Sequence, residues 1–249
     1  MVQWTRIGVR VLHEVLCEES LDFHWIVMTT VYLQNQICGG SLVRSELSCS
    51  ILRVSLYRAW YVYQKIWQVR AVRLGERYGG QYRNFQDDIA LVQLKTGFTF
   101  SRMVRAVCLD LMDEELHNTQ TSPGSEGKVA GWGLTDSGKA SDRLNFLSIP
   151  VVGDMECINS TNSYTSYVTS DKICAGFTNR SAMCPGDSGA GLVFPQQDTD
   201  KSPLRWHLRG VLSNAPTSRS LTNTCRVNVV AFYTSCRHFT RYWLKVSYF

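Results

Sequence analysis

Nine cysteines stand at positions 17, 38, 49, 108, 157, 174, 184, 225 and 236 of this 249-residue chain, and no two are close enough to form a Cys-x-x-Cys pair. Metal and thiol-redox sites commonly use such pairs, whereas scattered cysteines suit disulfides made in an oxidising compartment. The odd count leaves at least one thiol over, or one bridge that leaves the chain. Two sequons, Asn159-Ser160-Thr161 and Asn179-Arg180-Ser181, agree with a secreted, extracellular protein. Residues 1–16 do not read as an export signal, because Arg6, Arg10, His13 and Glu14 interrupt every apolar run. The chain is therefore expected to be partial, or to have a misassigned start.

Composition narrows the class further. Hydrophobic residues make up 44% and charged residues 19%, which is enough apolar surface for a packed core and excludes intrinsic disorder. No run approaches the roughly 18 apolar residues of a membrane helix. A net charge of +5 is mild and does not call for a nucleic-acid partner.

Short β-branched runs at 25–33, 89–94, 127–131, 208–212 and 227–233, with Gly, Asn or Asp nearby, predict an all-β sandwich or barrel. One helix is expected at the end, over 235–248, where Phe239, Tyr242, Trp243 and Val246 recur at three- and four-residue spacing. Residues 115–126 and 196–203 read as surface loops. The stretch 44–77 fits poorly, being rich in Arg and aromatic residues with little turn punctuation. It reads as a half-buried strand or helix pair, a basic binding surface for heparin or nucleic acid, or foreign text from a missed splice or frameshift.

The sharpest local signal is Cys184-Pro185-Gly186-Asp187-Ser188-Gly189. A serine between glycines on a tight turn exposes its hydroxyl, and nearby backbone N–H groups can face a developing oxyanion. Other short signals flank it in order: Ile37-Cys38-Gly39-Gly40-Ser41-Leu42, Asp88-Ile89-Ala90-Leu91, Val107-Cys108-Leu109, Gly131-Trp132-Gly133, Gly210-Val211-Leu212-Ser213 and Phe232-Tyr233-Thr234.

With these motifs the chain resembles the trypsin/chymotrypsin family of serine endopeptidases, over residues 23–43 and 78–247, and within it the clip-domain and modular cascade proteases of invertebrates. The resemblance implies two six-stranded antiparallel β-barrels with a C-terminal helix and a cleft between them, the first barrel incomplete. It divides the chain into an N-terminal segment, 1–22, and a protease domain, 23–249, in which 44–77 is atypical. It implies Ser188 as nucleophile, N–H groups of Gly186 and Ser188 as the oxyanion hole, and Asp88 as the acid that orients the general base. Asp187 matches the residue that pairs with a new N-terminal ammonium after zymogen cleavage. Ser213, Asn214, Ala215 and Ala231 match the substrate-binding strands, and Ala182 the base of the specificity pocket.

The general-base histidine has no match. The family places it in Ala-Ala-His-Cys between the Cys-Gly-Gly-Ser-Leu strand and the aspartate, yet no histidine lies between Cys38 and Asp88. The five present are His13, His24, His117, His207 and His238, each read as a surface or packing residue. The family's Ile-Val-Gly-Gly start is also unmatched, with Arg10-Val11-Leu12 the nearest basic–apolar step.

Ala182 cannot supply the carboxylate that trypsin-like members use against Lys or Arg, and Ala215 and Ala231 narrow the slot. Small or medium apolar side chains are the expected substrates. The resemblance pairs Cys157 with Cys174 and Cys184 with Cys225. It matches Cys108 to a cysteine that often reaches an N-terminal light chain, with Cys17 nearby, and leaves Cys236 as a buried thiol. No cofactor or metal is implied. The partners implied are protein or peptide substrates and an upstream activating protease. The expectation is a secreted serine endopeptidase, or alternatively an inactive homologue that serves as a binding or regulatory module.

Overall fold

The computed structural model describes residues 25–28, 51–58, 61–95, 107–109, 112–131, 133–135, 139, 141, 145–177, 183–184, 187–197, 199, 204–215 and 230–239. The first half is an antiparallel sheet of β1 (Trp25–Met28), β2 (Ile51–Arg58), β3 (Tyr61–Leu74) and β4 (Ala90–Leu94), in the order β1-β4-β3-β2. β2 and β3 pair from Ile51↔Gln68 to Arg58↔Tyr61, so most of the awkward 44–77 stretch is a hairpin. Its Val, Ile, Tyr and Trp residues favour extended backbone, and without Gly or Pro to break it β3 runs for 14 residues.

The second half closes on itself. β5 (Glu126–Gly131), β6 (Asn145–Val152), β7 (Lys172–Gly176), β8 (Gly191–Gln196), β9 (Arg205–Asn214) and β10 (Val230–Ser235) form a barrel in the order β10-β7-β6-β5-β8-β9. Closure leaves no strand edge without a partner. Val129, Ile149, Ile173, Leu192, Phe194 and Tyr233 fill its interior. Each such side chain contributes about 1.5–3 kcal/mol relative to exposure. This barrel is one of the two that the sequence motifs imply. Among the described residues the other half is the four-stranded sheet.

β9 is buried along both faces, from Trp206 to Ser213. One face lines the barrel and the other is covered by Ile89, Cys108 and Cys236. Cys236 is a free thiol, and burial pushes its pKa up to about 12. A disulfide joins Cys157, on α2 (Asp154–Thr161), to Cys174 on β7, across 17 positions. Loop closure of that length is worth about 2–4 kcal/mol. Cys108 and Cys184 are disulfide-bonded too, while Cys17 and Cys225 lie outside the described residues.

The loop expected at 115–126 is corrected in its first part, where Glu114–Gln120 form helix α1. Asp113 caps it, its carboxylate accepting the Leu116 N–H at 2.8 Å, and Glu114 and Glu115 sit in the first turn, where acids favour the helix dipole. The turn residues Ser122, Pro123 and Gly124 that suggested a loop follow the helix. Gln120 locks α1 to the barrel by accepting from Arg209 Nε at 2.6 Å and donating to the Pro195 carbonyl. Of the expected terminal helix, a single 3-10 turn at Arg237–Phe239 is described, and residues 240–248 lie outside the described residues.

Candidate active site

Ser188 is exposed on the turn that leads into β8, and Gly189 after it has φ +87°, a left-handed conformation that glycine adopts without strain. Two bonds sew this turn to the end of β9: Gly189 N–H donates to the Leu212 carbonyl at 2.9 Å, and Leu212 N–H donates to the Ala190 carbonyl at 2.8 Å. The residue after Leu212 is Ser213. Pairing with β10 jumps from Leu212↔Tyr233 to Asn214↔Phe232, so Ser213 is the extra residue of a β-bulge. Bulges re-aim side chains, and here the buried Ser213 Oγ–H donates to Asp88 Oδ2 at 2.5 Å.

Asp88 thus sits 1% exposed at the entrance to β4, one hydrogen bond from the strand that holds the Ser188 turn. Burying a carboxylate is costly unless donors satisfy it. The residues before it take unusual backbone: Asn84, Phe85 and Asp87 have φ of 52°, 56° and 54°. Non-glycine residues adopt that region rarely, and only where surrounding structure holds them there.

Asp187, preceding the serine, turns its carboxylate inward. Oδ1 accepts the Gly133 N–H at 2.7 Å and Oδ2 the Cys184 N–H at 3.0 Å. A Cβ added at Gly131 or at Gly133 would collide with this carboxyl, so both glycines of Gly131-Trp132-Gly133 are explained by one close approach. Burial raises the Asp187 pKa, and the two N–H donors offset part of that rise. Among the described residues no ammonium or guanidinium contacts it. The adjacent Tyr233 hydroxyl is also raised, by burial and by the Asp187 charge.

Asn214 and Ala215 are half-buried at the end of β9, and Ala231 is buried in β10 across the same strand pair. Gly186 and Ala182 lie outside the described residues, as do His13 and His24. The described histidines are engaged elsewhere. His117 is buried on α1, His207 on β9 lies opposite Phe194, and the His238 ring nitrogen accepts from Arg77 at 2.8 Å. Two residues near Asp88 escaped sequence reasoning, Asp171 and Lys172. Their signal was the bare acid–base step before β7, which has no motif.

Comparison with protein families matches the family described as Trypsin over residues 18–240. The chain belongs to the trypsin family. Among curated relatives, it is 32% identical over 148 residues to a CLIP domain-containing serine protease HP8 of Bombyx mori, covering 59% of this chain and 38% of that one. It is 32% identical over 196 residues to transmembrane protease serine 5 of Homo sapiens, covering 71% and 40%. It is 34% identical over 135 residues to clotting factor C of Tachypleus tridentatus, covering 52% and 13%. The chain thus spans less than half the length of these relatives. No helix among the described residues is long and apolar enough to cross a membrane.

Proposed function

We propose that this chain is a serine-type endopeptidase domain of a secreted protease cascade, working by acyl transfer. In this reading Ser188 is the nucleophile, Asp88 is the carboxylate that would orient a general base, and the N–H groups of Gly186 and Ser188 would receive the charge of the oxyanion; no described histidine stands beside Asp88 to take the serine proton. The observation that carries this reading is the chain of contacts from the exposed serine turn through Leu212 and Ser213 to the buried Asp88 carboxylate. A serine hydroxyl is essentially unionised at neutral pH, so attack requires a proton acceptor beside it. An imidazole held by Asp88 is the family's solution. Asp187 supports a zymogen-like state of the chain: a buried carboxylate with a raised pKa is stabilised when an upstream protease frees an N-terminal ammonium to pair with it. Secretion is supported by the disulfide and by Asn159 of the first sequon, which is exposed on α2.

A second reading has its own observation. With no histidine between Cys38 and Asp88, the domain is an inactive homologue that uses the same cleft to bind protein partners. A panel of peptide substrates, offered before and after limited proteolysis that frees a new N-terminus, separates the two. The enzyme reading expects hydrolysis after small or medium apolar residues, little after Lys or Arg since Ala182 lacks a charge, and loss of activity by about 10³-fold or more in Ser188→Ala. Turnover that is absent, or equal in Ser188→Ala, leaves the binding module.

A further inference from the structure

We propose that Asp171 and Lys172, at the start of β7, are positioning residues that grip the loop before Asp88 from the closed barrel and so set the direction of its carboxylate. The proposal rests on the reading of Asp88 given above. Three left-handed non-glycine residues within four positions are not a conformation that loop 84–87 holds by local preference. The second half of the molecule supplies what holds it. Lys172 Nζ donates to the Phe85 carbonyl at 2.7 Å and to Asp171 Oδ2 at 2.5 Å, and the same Asp171 oxygen accepts the Asp87 N–H at 3.0 Å. Thr169 Oγ1 donates to the other Asp171 oxygen at 2.5 Å. The Phe85 ring stands edge-on against Tyr167, 5.6 Å away, and Tyr167 against Phe232 of β10.

The grip passes directly to Asp88. The Asp87 carbonyl accepts the Ile89 N–H at 2.8 Å, closing a three-residue turn whose central residue is Asp88. Arg77 completes the frame from the first half by forking onto the Asp87 carboxylate at 3.1 and 3.0 Å. The Lys172 and Asp171 side chains are both fully buried. Burial pushes the Asp171 carboxyl up, but the Lys172 ammonium and the surrounding donors pull it down further, so it stays ionised. A buried ion pair is a poor source of net stability, because desolvation takes back most of the Coulomb gain. Its geometry is what it contributes, and among the described residues the side-chain bonds it makes outside its own loop fall on residues 85 and 87.

The test uses the whole chain with Lys172→Met, and Lys172→Arg as the conservative variant that keeps a cation. Two quantities are read: amide exchange of the peptide spanning 84–94, and the rate of Ser188 phosphonylation resolved into affinity and limiting rate. In Lys172→Met, exchange of that peptide is expected to rise about 10-fold or more while β9 and β10 stay protected. The limiting phosphonylation rate should fall about 10- to 100-fold at unchanged affinity, with partial recovery in Lys172→Arg. Unchanged loop exchange, or a rise spread evenly over the barrel, overturns the proposal. So does an unchanged limiting rate in a folded variant. Should Lys172→Met not fold, Asp171→Asn is read in the same way. Should the wild-type serine not react, the enzyme reading fails, and the local exchange change alone decides whether the grip exists.

Discussion

Under the enzyme reading, replacing Asp88 by Asn is expected to lower peptide hydrolysis by about 10³- to 10⁴-fold while leaving the fold intact. The side chain keeps its shape but loses its charge, and with it the ability to hold an imidazole in the required tautomer and to stabilise the imidazolium. The effect corresponds to about 4–5.5 kcal/mol of transition-state stabilisation. Ser213→Ala should act in the same direction and more weakly, since it removes one donor from a carboxylate that is 1% exposed. The two measured together in kcat and in KM settle which function they serve. A loss in kcat places Asp88 in the chemistry, whereas an effect confined to KM makes it a residue that shapes substrate binding.

The second large effect is on stability, and it is acid-dependent. Burial lowers the His117 pKa to about 4, with Arg209 and Arg237 adding to the shift and Glu114 opposing it. Its Nδ1 is buried without a hydrogen-bond partner, and Arg237 is held beside Glu114 at 2.9 Å. An unfolded histidine takes its proton near pH 6.5, so between that pH and about 4 the unfolded state binds a proton that the folded state refuses. Stability is therefore complete above pH 6.5 and falls as the pH drops through this window. The expected loss is about 2–3 kcal/mol by pH 4, since a fall from 6.5 to about 4 is worth about 3–4 kcal/mol before it is discounted for partial solvation of the ring. Urea unfolding of wild type and His117→Gln at pH 7 and pH 4 checks it. The difference between the two proteins should shrink or reverse on acidification, and parallel curves would show that the ring is protonated within the fold.

The motifs around Ser188 and Asp88 were legible in the sequence because each is a short contiguous run, Gly186-Asp187-Ser188-Gly189 and Asp88-Ile89-Ala90-Leu91, that resembles the trypsin family's pattern. Gly131 and Gly133 carried their signal for a steric reason, the nearness of the Asp187 carboxyl. The strands of the closed barrel were legible in part. The runs at 127–131, 208–212 and 227–233 became β5, β9 and β10, while β6, β7 and β8 carried weaker patterns.

What stayed hidden lies in contacts distant along the chain. Asp171 and Asp87 are 84 positions apart, and nothing in either segment announces the other. The aim of Ser213 depends on a one-residue slip in strand pairing, which composition cannot express. Helix α1 was hidden by the turn residues that follow it, whereas the Arg and aromatic content of 44–77 left a strand pair, a helix pair and other readings open, and β2 and β3 form the strand pair.

The proposed activity requires a nucleophilic Ser188 coupled to the buried Asp88 carboxylate. Incubating the protein with a fluorophosphonate and mapping the adduct by peptide mass spectrometry tests this most directly. The predicted result is one phosphonyl group, on Ser188, formed at a rate that Asp88→Asn reduces. An unmodified Ser188, or labelling that falls on other serines and ignores Asp88, would contradict it.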